Sequence, residues 1–451
     1  MSFLHTVAAF ILALGVLIVV HELGHYWVAR LCGVKVLRFS VGFGKPLLMR
    51  RFGKDQTEWA LAAIPLGGYV KMVDEREGEV APEDLNRAFN RQSVGKRFAI
   101  VSAGPIANFL LAILFYWGLC LNGVPDMKPV LGTPEPMSIA EKSGQQGGDL
   151  VLSVNGQPVT GWSDLRWQVL QYALDHVPIQ LEVLDAHNMR QWRTLEVLPG
   201  AGDQPEQDLI NRLGLHTVDL PVMVGKVFAE SPAERAGLQS GDRILTAAGQ
   251  PVSNGHALIK QISASLGKPL PLGIERDGMV REVVVTPVDG APERPGQGRM
   301  GAGLIADQNA VKEYQLTLEY GVGEALLQGF KRTWDMSIFS LRAMGKMLTG
   351  QLSWRNLSGP VTIADYAGQS AKMGLVSYIN FLALISISLG VLNLLPIPLL
   401  DGGHLMYYTI EFLKGSPVSE RIMDLGQRAG LAMLLALMVF AFYNDINRLL
   451  G

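Results

Sequence analysis

The stretch LHTVAAFILALGVLIVVHELGHYWVARL, from Leu4 to Leu31, joins a membrane-like apolar run to a metal-binding motif. At about 1.5 Å per residue, a helix of this length crosses a bilayer core of about 30 Å. Helical residues at i and i+4 share a face, so His21 and His25 can bind one metal ion, with Glu22 beside it as a general base. Nitrogen ligands of this kind favour zinc.

Two alternatives compete with a metal site: a chance match and a pair of structural histidines. With 8 His in 451 residues, H-E-x-x-H should arise by accident in roughly one such chain in a hundred. Ionisable residues at membrane depth are costly and indicate a functional site by default. A third ligand elsewhere in the chain would decide between these interpretations.

The composition predicts a few membrane helices combined with sizeable soluble domains. The chain is 48% hydrophobic and 18% charged, too apolar for an ordinary soluble protein and too charged for a compact helical bundle in a membrane. A net charge of -2 argues against a nucleic-acid partner. Residues 1–5 contain no Lys or Arg, so we expect a retained helix and no cleaved signal peptide. Cys32 and Cys120, at opposite ends of the first two predicted spans, are not expected to pair.

The segment at residues 32–97 is rich in Lys and Arg, which assigns it to the cytoplasm and places the N-terminus outside. Strand-like patterns cover residues 34–43 and 58–72, and Gly42-Phe43-Gly44 between them indicates a tight turn. One interpretation is a membrane-associated hairpin beside the active site that holds an extended substrate along a strand edge. The other is an ordinary cytosolic β-ribbon.

The second span is predicted at residues 98–121. Its small residues Ser102-Ala103-Gly104-Pro105 permit close helix contact and a kink. Asn108 is a polar residue within this span. It is expected either to bond a neighbouring helix or backbone, or to support the metal site.

Residues 126–310 are richer in Gly and Pro and contain an internal repeat. Each copy has a short helix followed by a Gly-Asp turn, Gly148-Asp149 or Gly241-Asp242, that leads into an apolar strand. The copies resemble tandem PDZ domains, at residues 126–219 and 220–310, whose grooves would capture peptide ends by strand addition. In the first copy Ser143-Gly144-Gln145 replaces Ala236-Gly237-Leu238, so its groove is the weaker match. Structural or size-excluding domains are the alternative.

Residues 311–375 form a further segment on the outer side, with apolar residues at helical spacing between residues 320 and 348. This pattern is typical of an amphipathic helix on the membrane-water interface. Packing against the soluble domains is the alternative.

The third span, residues 376–401, ends in Asn393-Leu394-Leu395-Pro396-Ile397-Pro398-Leu399-Leu400-Asp401. The two prolines must turn the chain there, and Gly402-Gly403 allows a close backbone approach. Asp401 therefore lies at membrane depth, where it is the third zinc ligand that the first motif lacked. His404 could support the metal ligands or be a polar loop residue, and the second interpretation is favoured. A fourth span, at residues 427–445, returns the C-terminus to the outside.

These two motifs together resemble the site-2 protease family of intramembrane zinc metalloproteases. Gly67-Gly68-Tyr69-Val70-Lys71-Met72 and Leu357-Ser358-Gly359-Pro360 strengthen the resemblance, which covers nearly the whole chain. The implied protein is a multi-pass enzyme of a Gram-negative inner membrane, with termini and PDZ-like domains in the periplasm and its active site toward the cytoplasm.

The resemblance also implies roles for substrates and residues. The implied substrates are single-span membrane proteins, namely an anti-sigma factor already trimmed by another protease, and remnant signal peptides. Asn393 would contact the substrate backbone. Gly42, Phe43 and Gly44 would belong to a membrane-reentrant β element that positions substrate.

We therefore expect a four-span helical membrane core, a membrane-associated β-hairpin region and two PDZ-like α+β periplasmic domains. The expected enzyme uses Zn²⁺ and works within the lipid bilayer. A catalytically silent, membrane-anchored tandem-PDZ scaffold is the alternative. A transporter is disfavoured because the second and fourth spans carry essentially no ionisable residues.

Overall fold

The computed structural model describes residues 3–175, 177–197, 210, 213–289, 298–350 and 359–450. The chain divides into two compact units, one made of Met1–Val124 with Glu319–Leu450 and the other of Pro125–Leu318. The first unit is mainly helical and the second is rich in β-strands. Both predicted repeat copies fall within the second unit.

The helices, in chain order, are α1 (Phe3–Leu31), α2 (Val94–Leu121), α3 (Ile139–Lys142), α4 (Trp162–Leu174), α5 (Pro232–Arg235), α6 (Gly255–Ala264), α7 (Gln308–Tyr314), α8 (Val322–Leu348), α9 (Pro360–Met373), α10 (Leu375–Leu394), α11 (Asp401–Lys414) and α12 (Glu420–Leu450). Short 3-10 helices cover Pro82–Arg87 and Phe89–Arg91.

The strands are β1 (Val36–Phe52), β2 (Thr57–Met72), β3 (Val124–Met127), β4 (Leu150–Val154), β5 (Gln157–Pro158), β6 (Ile179–Leu184), β7 (Arg190–Leu195), β8 (Val222–Val227), β9 (Arg243–Ala247), β10 (Gln250–Pro251), β11 (Leu270–Arg276), β12 (Met279–Val285), β13 (Val288–Asp289), β14 (Gly298–Arg299), β15 (Ala302–Ala306) and β16 (Gln315–Leu318).

Four helices among the described residues are long and apolar enough to cross a membrane, which confirms the predicted number of spans. They are α1, α2, α10 and α12. Helices α2 and α12 begin earlier than residues 98 and 427, where the sequence placed them. The third span ends at Leu394, before the two prolines at which the sequence predicts that the chain turns. Pro396 and Pro398 interrupt the helix, and Asp401 begins the separate helix α11.

The β region of the first unit differs from the predicted hairpin. Strand β1 continues through Gly42-Phe43-Gly44 to Phe52, and the chain reverses at residues 53–56. Gly42 and Gly44 have φ values of +92° and +84°, so they bend the strand without ending it. Strand β1 pairs twice with β2: Ser40 lies opposite Tyr69, and Arg50 lies opposite Trp59.

Helix α8 is amphipathic, as predicted, and it packs against α2, a contact that neither alternative included. Its buried stripe consists of small residues, Ala325, Gly329 and Thr333. The Trp117 indole donates a hydrogen bond of 3.1 Å to the Val322 carbonyl, and the Arg332 guanidinium lies 4.9 Å above the Tyr116 ring centroid. The small residues therefore let α8 approach the C-terminal end of the second span closely.

Helix α9 was not predicted, and its first turn is capped by a distant carboxylate. Asp445 of α12, 1% exposed, accepts hydrogen bonds from the backbone amides of Gly359, Val361 and Thr362 at 2.9, 2.8 and 3.2 Å. Three otherwise unpaired amides at a helix start are thus satisfied by one side chain. Leu357 and Ser358, from the sequence motif at this point, lie outside the described residues.

The second unit contains both predicted repeat copies, and in each a short helix is followed by the Gly-Asp turn and a strand. Ser138 and Ser231 each cap a short helix, accepting a hydrogen bond of 3.2 Å from the amide three residues later. Gly148 and Gly241 have φ values of +94° and +96° in the turn that follows. The first copy contains the sheet β5-β4-β6-β7, and the second contains β12-β11-β9-β8-β15 with β10 beside β9.

Each copy also buries one aspartate from its Gly-Asp turn. Asp149 and Asp242 are both 1% exposed and contact Arg193 and Arg276 at 3.4 and 2.6 Å. Burial opposes ionisation of Asp242, but hydrogen bonds from Arg276 and the Gln239 amide outweigh it, and the pKa of this carboxyl is lowered. The two turns are therefore held by the same ion pair in both copies.

The copies differ in one core position. Gln145 occupies the place of Leu238, and both side chains are 4% exposed. The Gln145 amide donates a hydrogen bond of 2.7 Å to the Gly132 carbonyl. The first copy therefore has a polar link where the second has an apolar contact.

We predict that Asp445→Ala lowers the free energy of unfolding by about 1–3 kcal/mol, because it leaves backbone amides at the start of α9 without an acceptor. Thermal unfolding of the full chain in detergent measures the change. Asp424→Ala, which removes an exposed carboxylate from the same helix, is the matched control. An equal shift in both variants would contradict the capping role.

Candidate zinc site

His21, His25 and Asp401 lie together in the first unit, and among the described residues they form the one such cluster suited to a metal. The Nε2 atoms of the two histidines are 3.2 Å apart. Asp401 Oδ2 lies 3.2 Å from His21 Nε2 and 3.5 Å from His25 Nε2. Three ligand atoms from two distant parts of the chain therefore converge on one point.

The spacing of these atoms fits zinc. A tetrahedral ion with ligands at about 2.0–2.1 Å has ligand-to-ligand distances of about 3.3–3.4 Å. Asp401 Oδ2 is also buried, and no group among the described residues donates a well-formed hydrogen bond to it. A buried carboxylate oxygen without such a donor is costly unless a cation binds it. The donor set and its spacing thus both suit a zinc ion.

Helix α2 shapes the opposite side of the site. His25 Nδ1 lies 2.8 Å from the Ile100 carbonyl, and His21 Nδ1 lies 3.3 Å from the Asn108 amide nitrogen. Gly104 lies directly against both imidazoles, and a Cβ atom there would be 2.7 Å from His21 Cε1. The small-residue segment predicted to permit close helix contact therefore faces the metal site itself.

Glu22 is 8% exposed and lies between α1 and β2. Gly68 faces it so closely that a Cβ atom would come within 2.8 Å of Glu22 Cγ and 3.0 Å of Ile18 Cγ2. Only a residue without a side chain lets the strand lie this near the helix. The β region is therefore positioned directly beside the candidate general base.

Asp401 is positioned by the turn that precedes it. Leu399 has a φ of +92°, an uncommon value for a residue with a side chain. Gly403 lies against the backbone of this turn, and a Cβ atom would be 2.7 Å from Pro398 Cα. Arg97 on α2 and Glu411 on α11 form an ion pair at 2.6 Å that holds the rest of the helix. The predicted close approach of the glycines is present.

The remaining predicted residues lie outside the ligand cluster. Asn393 is half-buried in the last turn of α10 and makes no hydrogen bond to the three ligands. Phe43 is 43% exposed, and its ring stacks on Tyr69 with centroids 6.3 Å apart. His404 belongs to helix α11, so its assignment to a loop is wrong.

Several residues that shape the site were missed or undervalued in the sequence. The acceptor for His25 is a main-chain carbonyl, which leaves no signal in the side-chain pattern. Gly68 was noted only as part of a motif. Asn108 contacts both His21, through its side-chain amide, and a neighbouring helix, since its main-chain carbonyl accepts a hydrogen bond of 2.7 Å from Ser386.

We predict that Gly403→Ala weakens zinc binding about tenfold or more, because the new methyl group displaces the turn that delivers Asp401. Competition with a chelator on the purified full chain measures the affinity. Gly118→Ala, at a helical glycine with open space around it, is the control and should retain wild-type affinity. Unchanged affinity in Gly403→Ala would show that the turn does not position the carboxylate.

Comparisons with known proteins agree with this geometry. The model of peptidase family M50 matches residues 9–437. A protein named as a zinc metalloprotease in Ralstonia nicotianae is 46% identical over 98% of this chain and 98% of its own length. The regulator of sigma-E protease RseP of Escherichia coli is 41% identical over the full length of both chains.

Among solved structures, the PDZ domain of the SdrC-like protein from Listeria monocytogenes covers 20% of this chain and 92% of its own. Its sequence is 20% identical and the TM-score is 0.18, too low to add to the fold described above. The family and full-length matches do not favour the silent scaffold. The chain belongs to peptidase family M50, the site-2 protease family, and is a zinc metalloendopeptidase of the membrane.

Proposed function

We propose that this protein hydrolyses peptide bonds within the transmembrane segments of single-span proteins, with His21, His25 and Asp401 as zinc ligands and Glu22 as the general base. The spacing of 3.2–3.5 Å among the three ligand atoms carries this proposal. A scaffold that had lost its activity would have no need to keep three costly polar side chains at membrane depth.

In this mechanism Glu22 moves the proton. Zinc held by the three ligands would polarise the scissile carbonyl and lower the pKa of the attacking water toward about 7. The Glu22 carboxylate accepts a proton as the water oxygen attacks the carbonyl carbon, and it delivers that proton to the nitrogen as the C–N bond breaks. The products are a carboxylate and an amine. Burial between α1 and β2 keeps Glu22 fixed for both transfers.

The β region beside Glu22 is proposed to hold the substrate in an extended form. Residues 68–72 pair with residues 36–41 on one side, and no described strand pairs with their other edge. That edge is proposed to offer main-chain hydrogen bonds to a peptide. Gly42, Phe43 and Gly44 bend the neighbouring strand, and exposed apolar residues follow them, among them Leu47, Leu48 and Met49. Such an apolar surface suits a membrane-embedded position. Asn393 is proposed to contact the substrate backbone.

The protein is an inner-membrane protein by its spans and its relatives, and we propose its orientation from charge. The Lys- and Arg-rich segment between α1 and α2 is assigned to the cytoplasm. The termini and the Pro125–Leu318 unit are then periplasmic, and the zinc site opens toward the cytoplasm, from which water enters.

The two repeat copies are proposed to be PDZ-like domains. In the second copy, β15 ends its sheet and borders a cavity of about 520 Å³ lined in part by Phe228, Ile259, Ile262, Met300 and Leu304. A free strand edge beside an apolar cavity suits an extended peptide end. Anti-sigma factors trimmed on the outer side, and remnant signal peptides, present such ends and are the proposed substrates.

We predict that Glu22→Gln lowers the cleavage rate of a model single-span substrate by at least about 10²-fold, because the amide cannot accept the proton. Bound zinc, measured in the same purified protein, should be unchanged. Glu83→Gln, at an exposed position outside the site, should behave as wild type. Wild-type turnover in Glu22→Gln would refute the assignment of the base.

We also predict that a bulky folded domain on the outer end of the substrate slows cleavage strongly, since the outer domains would exclude it. The same folded domain joined to the cytoplasmic end by a linker of equal length is the control. Cleavage rates of purified full-length enzyme on the three substrates measure the effect. Equal rates for the trimmed and bulky forms would remove the size-filter proposal.

A further inference from the structure

The Nδ1 atoms of His21 and His25 both face α2, but one lies against a side chain and the other against a main-chain carbonyl. His25 Nδ1 lies 2.8 Å from the Ile100 carbonyl, and a carbonyl can only accept a hydrogen bond. The proton of a neutral His25 therefore resides on Nδ1, and the Nε2 lone pair is free to face the metal. The main chain of α2 thus selects the tautomer that zinc binding requires.

His21 has a side-chain partner instead. Asn108 is 0% exposed, and its Nδ2 atom lies 3.3 Å from His21 Nδ1. If this amide group donated to Nδ1, the proton of a neutral imidazole would lie on Nε2. That atom is 3.2 Å from both His25 Nε2 and Asp401 Oδ2, at the centre of the ligand cluster. A proton there would block the metal.

The other end of the amide resolves this conflict. Asn108 Oδ1 is buried and has no hydrogen-bond partner among the described residues. A half turn of the amide group brings Oδ1 to the position facing His21 Nδ1, and Nδ2 takes the place that Oδ1 leaves. Oδ1 can then accept the Nδ1 proton, which frees Nε2 of His21 as the Ile100 carbonyl frees that of His25.

We propose that Asn108 is the positioning residue for His21: its side-chain carbonyl accepts the Nδ1 proton and holds the Nε2 lone pair toward the zinc. This inference rests on the ligand assignment proposed above. Asn108 suits the task because its own backbone is fixed, since its main-chain carbonyl accepts a hydrogen bond of 2.7 Å from Ser386 on α10. Outer partners of metal-binding histidines commonly raise metal affinity in this way.

The first test compares zinc affinities of purified full-length variants by chelator competition. Asn108→Ala should bind zinc about 10–100-fold more weakly. Asn108→Asp keeps an acceptor but loses the donor, so it should recover most of the affinity. Gly118→Ala, on the same helix with open space around the glycine, is the control and should bind as wild type. Wild-type affinity in Asn108→Ala, or equal losses in the Ala and Asp variants, would overturn the proposal.

The second test observes the tautomer directly and does not depend on any variant folding. In ¹⁵N-histidine-labelled wild-type protein loaded with zinc, NMR should show His21 protonated at Nδ1 and metal-bound at Nε2. The Nε2-protonated tautomer would overturn the proposal. His21→Ala and His25→Ala test the ligand assignment separately from the role of Asn108. Wild-type zinc binding in those two variants would refute the ligand set.

Discussion

The polar side chains of His21, His25 and Asp401 are held together among membrane-length helices, and this requirement constrains the helices around them. An unpaired polar group in hydrocarbon costs several kcal/mol, so the imidazoles need partners on both sides. Helix α2 supplies the partners of the two Nδ1 atoms and must therefore lie close to α1. Gly24 faces the Ala103 carbonyl and Gly104 faces the imidazoles, so a side chain at either glycine would force the helices apart.

The same helix also controls the third ligand. Arg97 at the start of α2 pairs with Glu411 at 2.6 Å, and its guanidinium lies 4.9 Å above the Tyr408 ring centroid. Both partners belong to α11, whose first residue is Asp401. The contact is shielded, with Arg97 and Glu411 side chains only 11% and 15% exposed. One span thus contacts both imidazoles directly and supports Asp401 through a neighbouring helix.

The clustering of His21, His25 and Asp401 could be predicted because each part lies in a local pattern: a four-residue histidine spacing, and an acid behind a proline-broken span. Features decided by distant contacts could not. Helix α9 begins where Asp445 caps it. The sequence near residue 360 contains no pattern that indicates a capping residue so far along the chain. Gly42 and Gly44 predict a turn because glycine is typical both of a bend within a strand and of a reversal between two strands. Only the pairing of the strands distinguishes them.

The cap on α9 also bears on the timing of assembly. Tyr378, just after α9, donates a hydrogen bond of 2.6 Å to the Ala9 carbonyl, and Gly368 lies against Thr6 in the first turns of α1. Helix α1 is synthesised first, yet its N-terminal end is packed against elements that come much later in the chain, one of which is capped by Asp445. With the ligand set proposed above, a nascent chain would gain its third ligand only after the third span had been made.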